Sequence, residues 1–213
     1  MNRLTLLFYF LFGLNLYCFA QKDWHLAKKA DMIEVYVRDV PGTKLKELKT
    51  IALFESSPDA LLALLTDIPA QSAYQFGCIS SARIGKSTIY EQIFYQQLYM
   101  PWPFSQRDGV FKQVINPPST RKEIFIETIS MSELIPHKTG YVRVPFMQSG
   151  WHIKRVSDSI INAEYKLKVD PGGAIPKWLI NLFIDKGPYE SILNLRRLLK
   201  EKKYKNAYIN WLH

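Results

Sequence analysis

Asp170-Pro171-Gly172-Gly173-Ala174-Ile175-Pro176-Lys177-Trp178-Leu179 is the stretch on which this 213-residue sequence turns. It closes a run of strands and opens a long, apolar-faced helix that reaches about Lys203. Leu179, Leu182 and Phe183 line the first half of that helix, and Ile192, Leu195 and Leu199 the second. Pro188 after Gly187 predicts a kink or break between the halves. A small β-rich domain that ends this way can fold its sheet around one amphipathic helix and leave an interior gap. That gap, rather than a row of reactive side chains, is the first clue to function.

Upstream, alternation predicts strands. Ile161, Ala163, Tyr165, Leu167 and Val169 point one way, while Asn162, Glu164, Lys166 and Lys168 point the other. One dry and one wet face indicate an antiparallel sheet covered on a single side, here by the last helix. Further strands are expected over Ile33 to Arg38, Lys46 to Phe54, Ser87 to Tyr99, Gly109 to Asn116, Arg121 to Met131 and Tyr141 to Val156. Ser57 caps a helix with Pro58 at its first position, and Leu61, Leu62, Leu64 and Leu65 give it an apolar face. Pro69 ends that helix, and a shorter helical piece holds Tyr74 and Phe76. The layout is α+β, one domain, with no internal repeat.

Residues 1–20 read as a secretory signal peptide, with a short positive end, an apolar block from Leu4 to Phe12, and cleavage near Ala20. The expectation is therefore an exported protein, periplasmic or secreted, with a domain over 21–213. Its core spans about 22–203, followed by a basic tail at 204–213. Without the leader, Cys78 is the only thiol and no internal disulfide is possible. The formal net charge of +9 loses Arg3 with the leader and remains strongly basic. Much of the excess sits in Arg196, Arg197, Lys200, Lys202, Lys203 and Lys205. These are either a solvated helix end that suits the macrodipole or a surface for anionic lipid headgroups. Export makes nucleic acid an unfit partner.

The ordered pieces resemble a START domain, the lipid-transfer module named for steroidogenic acute regulatory protein. They are Trp24 before a lysine-rich turn and Ile33 to Arg38, then Asp67, then Pro101-Trp102-Pro103-Phe104-Ser105-Gln106-Arg107-Asp108. Tyr141-Val142-Arg143, Gly150-Trp151 and the stretch from Asp170 to Leu179 follow. The resemblance covers about 22–203. It implies a helix-grip fold, a curved antiparallel sheet wrapped around a long C-terminal helix with an internal hydrophobic cavity. It also implies a monomer that encloses one phospholipid or sterol-like ligand and carries it between membranes.

Charges stranded in apolar rows are the candidates for polar groups inside the cavity: Glu91 between Ile89 and Ile93, and Arg143 in the row Tyr141, Arg143, Pro145, Met147. If buried they need partners, and Glu91 with Arg143, or Arg107 with Asp108 or Glu91, are the plausible pairs. Sterol carriers of the family place an acidic residue and an arginine in the tunnel. Glu91 falls near the first, but Gln113 stands about where the arginine is expected. Met131 to Gly140 is long for a hairpin and corresponds to the family's omega loop, a lid at the tunnel mouth. Leu134 and Ile135 at its tip, with Trp178 and Leu182 on the helix, would form the mouth. Lys138, Lys200, Lys202 and Lys203 would meet phosphates of an anionic membrane.

Ordinary enzyme signatures are missing. His25, His137, His152 and His213 have no metal-ligand spacing, and there is no Gly-x-Ser-x-Gly elbow. Gly85-Lys86-Ser87-Thr88 imitates the end of a phosphate loop, but Ser80 stands where that motif needs glycine. No cofactor, metal or catalytic residue is expected. Helix-grip folds do include cyclases and hydrolases. In that alternative Tyr95, Arg143, His152 or Glu91 would do acid–base work. A sensor that holds a lipid without moving it is the third class.

Overall fold

In the computed structural model, residues 24–43, 45–116 and 122–210 are described. The expected leader lies outside them. The strands are β1 (His25–Ala30), β2 (Ile33–Asp39), β3 (Lys46–Phe54), β4 (Cys78–Arg83) and β5 (Glu91–Leu98). After them come β6 (Gln106–Asn116), β7 (Glu123–Ser130), β8 (Tyr141–Arg143), β9 (Phe146–Ser157) and β10 (Ile160–Asp170). The helices are α1 (Pro58–Thr66), α2 (Gln71–Tyr74), α3 (Lys177–Leu198) and α4 (Lys202–Lys205), with a 3-10 turn at Ile68–Ala70. Among the described residues the sheet order is β1-β2-β3-β10-β9-β7-β6-β5-β4, antiparallel along this path, and β8 pairs in parallel with β6.

Local chemistry accounts for most element ends. The Ser57 hydroxyl accepts from Ala60 N at 3.2 Å, closing the first turn of α1 as its cap and Pro58 predict. The helix stops at Thr66, before Pro69. The residues read as a lysine-rich turn form β1 instead. Its hairpin to β2 turns on Asp31 and Met32, both in the left-handed region at φ 51° and 56°. Two positive-φ residues are the geometry a two-residue hairpin demands, supplied here without glycine. The expected strand from Tyr141 to Val156 is two: Pro145 has no N–H to give a ladder, and β8 leaves it for β6. The strand expected from Ser87 begins at Glu91, because Thr88 Oγ1 turns the chain by accepting from Tyr90 N and Glu91 N.

Helix α3 runs through Pro188 without a break. Ser191 bridges the proline-bearing turn: its hydroxyl donates to Gly187 O at 2.7 Å and accepts from Phe76 N at 3.0 Å. The core lies between α1, the C-terminal half of α3 and the sheet, around Phe54, Ile161, Ile153, the α1 leucines and Leu195. A second apolar cluster joins Ile68, Phe94, Phe111 and Val144. Among the described residues, no helix is long and apolar enough to cross a membrane.

Candidate lipid chamber and its mouth

Residues directly opposite each other in an antiparallel ladder share a face. Register therefore maps the inner wall. Two opposed pairs, Phe54 with Ile161 and Ile153 with Ile124, form with neighbouring Ile115 a staggered row that closes one end, each side chain at most 3% exposed. Two to four residues further along these strands, hydroxyls and aromatics enter. Thr50 stands opposite Tyr165, Tyr165 opposite Trp151, and Thr128 opposite Ser149. The Trp151 and Tyr165 rings lie 4.7 Å apart. Toward the mouth, Leu167, Val169 and Met147 point inward yet are only half-buried. Burial raises the pKa of the Tyr165 phenol, opposed by a hydrogen bond with Ser149, but Tyr165 keeps accessible surface. Its side chain stands deep in the molecule and is still incompletely covered.

On β5 the inward row is Gln92, Phe94 and Gln96. These amides serve the helices that close the wall. Gln92 Nε2 donates to Thr66 O at 3.1 Å, Gln113 Nε2 to Leu65 O at 3.3 Å, and Gln96 Nε2 to Gln75 Oε1 at 3.0 Å. Glu91 lies on the opposite, outer row. Its side chain is 46% exposed and pairs with Lys112 at 2.9 Å, so it does not reach the interior and the expected cavity role fails. The Glu91–Arg143 pair does not form.

Arg143, read as a charge in an apolar row, and Arg107 are both buried, and both hold loops. Arg143 Nε and Nη2 grip Asp108 Oδ1 and Oδ2 at 2.9 and 3.0 Å, a bidentate pair buried on both sides. The remaining donors reach the loop 131–140: Nη1 donates to Ser132 O at 2.5 Å and Ile135 O at 3.2 Å, and Nη2 to Pro136 O at 3.1 Å. The hydrogen bond to Asp108 holds the Arg143 pKa above its ordinary value. Tyr95 adds its hydroxyl to Asp108 Oδ2 at 3.1 Å; burial first, then that carboxylate, pushes its phenol up to about 12. Arg107 does not pair with Asp108. Its guanidinium donates to Pro171 O at 3.1 Å, Gly172 O at 2.9 Å and Ser105 O at 2.5 Å.

Three loops thus converge on one Arg107-Asp108-Arg143 cluster: 99–105, 131–140 and 170–176. The third needs glycine where it does. Gly172 sits at φ 69°, and a Cβ there would lie 3.0 Å from Arg143 O. Leu134 is 48% exposed and Ile135 is half-buried at the lid tip. Trp178 is 60% exposed and packs on Phe104 with ring centroids 6.3 Å apart; Leu182 is half-buried behind it. Lys138 lies over the Tyr141 ring at 4.8 Å. Trp102, at 92% exposure, completes the rim. Its signal in the sequence is a tryptophan between two prolines, Pro101 and Pro103, on a strand-to-strand loop.

Lys200, Lys202 and Lys203 do not join this rim. They follow α3 at its other end, about 30 Å from Trp178 at the rise of an α-helix. There Lys203 pairs with Asp67, Tyr204 donates to Asp67 Oδ2 at 2.8 Å, and Ile209 N donates to Asp59 Oδ1 at 2.8 Å. The tail packs on α1 as far as Ile209, and Trp211 and Leu212 lie outside the described residues.

Of the acid–base candidates, Tyr95 and Arg143 meet at Asp108, while Glu91 and His152 stand apart from them. His152 stacks on Phe125 at 4.2 Å and bonds Glu123 at 2.7 Å on the outer face, away from Tyr95. Burial pushes the Cys78 thiol up to about 12, which keeps it protonated at neutral pH. Among the described residues no cluster of three metal-ligating side chains occurs.

The chain matches the START domain family over residues 14–205. It is 26% identical over 200 residues to an uncharacterized protein of Pseudomonas aeruginosa, covering 94% of this chain and 98% of that one. With the mouse phosphatidylcholine transfer protein it shares 29% identity over 167 residues, 75% of each chain. The solved structure of a STAR-related lipid transfer protein fragment from Xanthomonas axonopodis superposes with a TM-score of 0.76 at 30% identity, covering 84% of this chain and 99% of that one. The Zhui aromatase/cyclase of a Streptomyces shares the fold alone, with a TM-score of 0.54 at 6% identity. The sheet that grips α3, the glycine-bearing loop before it and these matches agree: the chain belongs to the START domain family.

Proposed function

We propose that this protein encloses one lipid between its sheet and α3 and carries it between membranes as an exported monomer. The observation that carries the reading is the wall at Tyr165, Leu167 and Val169: side chains that point inward under a helix yet keep accessible surface. Lipid chains exclude themselves from water at about 25 cal/mol per Å². Such a wall stabilises them without bond chemistry, so no reaction is assigned. Kinship to lipid transfer proteins supports the same reading.

Docking is assigned to the mouth. Trp102, Leu134 and Trp178 would enter the headgroup region, with Lys138 beside them, and the lid at Leu134 and Ile135 would lift with the first turn of α3. Trp side chains favour that interface because one edge is polar. The lysines at the far end of α3 cannot share that contact plane and are left as a second basic surface. Native mass spectrometry of protein purified from its own host compartment tests the reading. One lipid per chain and a mature N-terminus after Ala20 are expected. Ligand-free protein that neither loads from vesicles nor speeds vesicle-to-vesicle transfer would overturn it.

A further inference from the structure

We infer that the chamber takes a lipid with an uncharged, hydrogen-bonding head, of the acylglycerol type, rather than one bearing a phosphate or a carboxylate. This rests on the lipid-binding reading and narrows it. Between the sealed row and the mouth, the inward positions of the central strands are hydrocarbon, aromatic, amide or hydroxyl. The polar ones include Thr50, Gln92, Gln113, Thr128, Ser149 and Tyr165. Among the described residues, no carboxylate and no ammonium stands on this wall between its two ends.

The cations with inward register are all placed or engaged elsewhere. Arg155 stands in the sealed row itself, opposite Ile161, with its Nη1 3.8 Å from Asp158 and its buried Nε without a hydrogen-bond partner. It therefore lies at the closed end and not along the wall toward the mouth. Lys46 begins β3 and bonds Asn181 at 3.5 Å. Arg83, on the outer strand β4, bonds Gln92 Oε1 at 2.6 Å and Thr66 O at 2.8 Å. Arg107 and Arg143 spend their donors on six backbone carbonyls and Asp108. A phosphate brought among these side chains would be a buried charge without an ionic partner, which is strongly unfavourable.

Neutral heads meet a better match. Hydroxyls both donate and accept, so Ser149, Thr50 and Tyr165 can serve ester carbonyls and a glycerol hydroxyl alike. Thr50 Oγ1 is buried, has no hydrogen-bond partner, and sits directly opposite Tyr165. Buried polar atoms are nearly always satisfied in native structures. Among the described residues Thr50 Oγ1 and Arg155 Nε are the orphans, and Thr50 is the one between the sealed row and the mouth, where a guest that displaces its cover can supply the partner. The wall therefore differs from what the cargo named for the mouse relative requires.

The test loads delipidated protein from vesicles holding equal amounts of dioleoylglycerol, phosphatidylcholine and phosphatidylglycerol, and counts bound lipid by mass spectrometry. Diacylglycerol should exceed each phospholipid by about tenfold or more, equal to about 1.4 kcal/mol. Thr50→Val and Ser149→Ala should each lower diacylglycerol loading several-fold. Gln113→Arg, or Ser149→Lys if the first variant fails to fold, should move loading toward phosphatidylglycerol. Wild-type protein that loads either phospholipid as well as diacylglycerol overturns the neutral-head inference and leaves lipid carriage standing. Protein that loads none of the three overturns both.

Discussion

The two ends of α3 are held by opposite kinds of force. Its C-terminal half is fixed by hydrocarbon: Ile192, Leu195 and Leu198 are at most 5% exposed against Phe54, Ile161 and the α1 leucines. Its N-terminal end buries Leu179 but otherwise relies on directed polar bonds, from Arg107 to Pro171 and Gly172, with Trp178 left 60% exposed. Apolar burial has no cheap alternative in water. A hydrogen bond to a carbonyl can be exchanged for one to water at a net cost of about 1 kcal/mol. One helix can therefore be an anchor at one end and a gate at the other.

The largest effect should come from breaking the buried pair that serves the gate. Arg143→Met leaves Asp108 buried without its partner, which typically costs about 3–5 kcal/mol. Denaturant unfolding should show that loss, and the double variant Arg143→Met with Asp108→Leu should recover part of it. No recovery would mean that the loop bonds to Ser132, Ile135 and Pro136, rather than the ion pair, dominate.

Leu195→Ala at the anchor should cost about 3 kcal/mol of global stability. Arg107→Met at the gate should cost less, about 2 kcal/mol, because the freed carbonyls lie next to solvent. Lipid exchange should rank the other way. Arg107→Met should speed uptake and release, while Leu195→Ala should leave rates per folded molecule nearly unchanged. Equal exchange rates would erase the distinction between the two ends. Trp102→Ser should weaken vesicle binding by about 2 kcal/mol while leaving unfolding unchanged, since its side chain is 92% exposed. Vesicle co-sedimentation measures the first and a thermal melt the second.

Legibility in the sequence followed the same division. Where hydrocarbon alternates on one strand, as in β10, face and partner are readable from spacing alone, and the Ser57 cap and the glycines at 172 and 173 announce themselves by backbone need. The gate is not readable that way. Arg143 meets Asp108 only because β8 pairs in parallel with β6, a long-range register that no local pattern encodes. Glu91 misled because β5 inverts the usual rule. Its inward row carries Gln92, which satisfies the Thr66 carbonyl of α1, and Gln96, which bonds Gln75, while Ile93 and Tyr95 lie on the row with Glu91. β1 went unread because it is a lysine-bearing edge strand whose hairpin lacks glycine.

The smallest effect concerns the tail that seals the anchor end. The Asp67 carboxyl lies below its ordinary pKa: burial opposes ionisation, but hydrogen bonds from Lys203 and Tyr204 and the Lys203 charge outweigh it. Lys203 lies above its ordinary value, chiefly through its hydrogen bond to Asp67. A carboxylate with a depressed folded pKa contributes stability above its unfolded value, about 3.9, and loses it as pH falls through the lower folded value. A lysine with a raised folded pKa contributes below about 10.4 and loses that as pH rises further. The tail should thus stay docked across neutral pH and loosen below about pH 4 and above about pH 10. Hydrogen exchange at the Ile209 amide, bonded to Asp59 Oδ1, should accelerate beyond its intrinsic pH dependence first on the acid side. Lys203→Met should shift that acid onset upward and leave lipid loading at the mouth unaltered. A change in loading would mean that anchor and gate are coupled along α3 and do not act as separate ends.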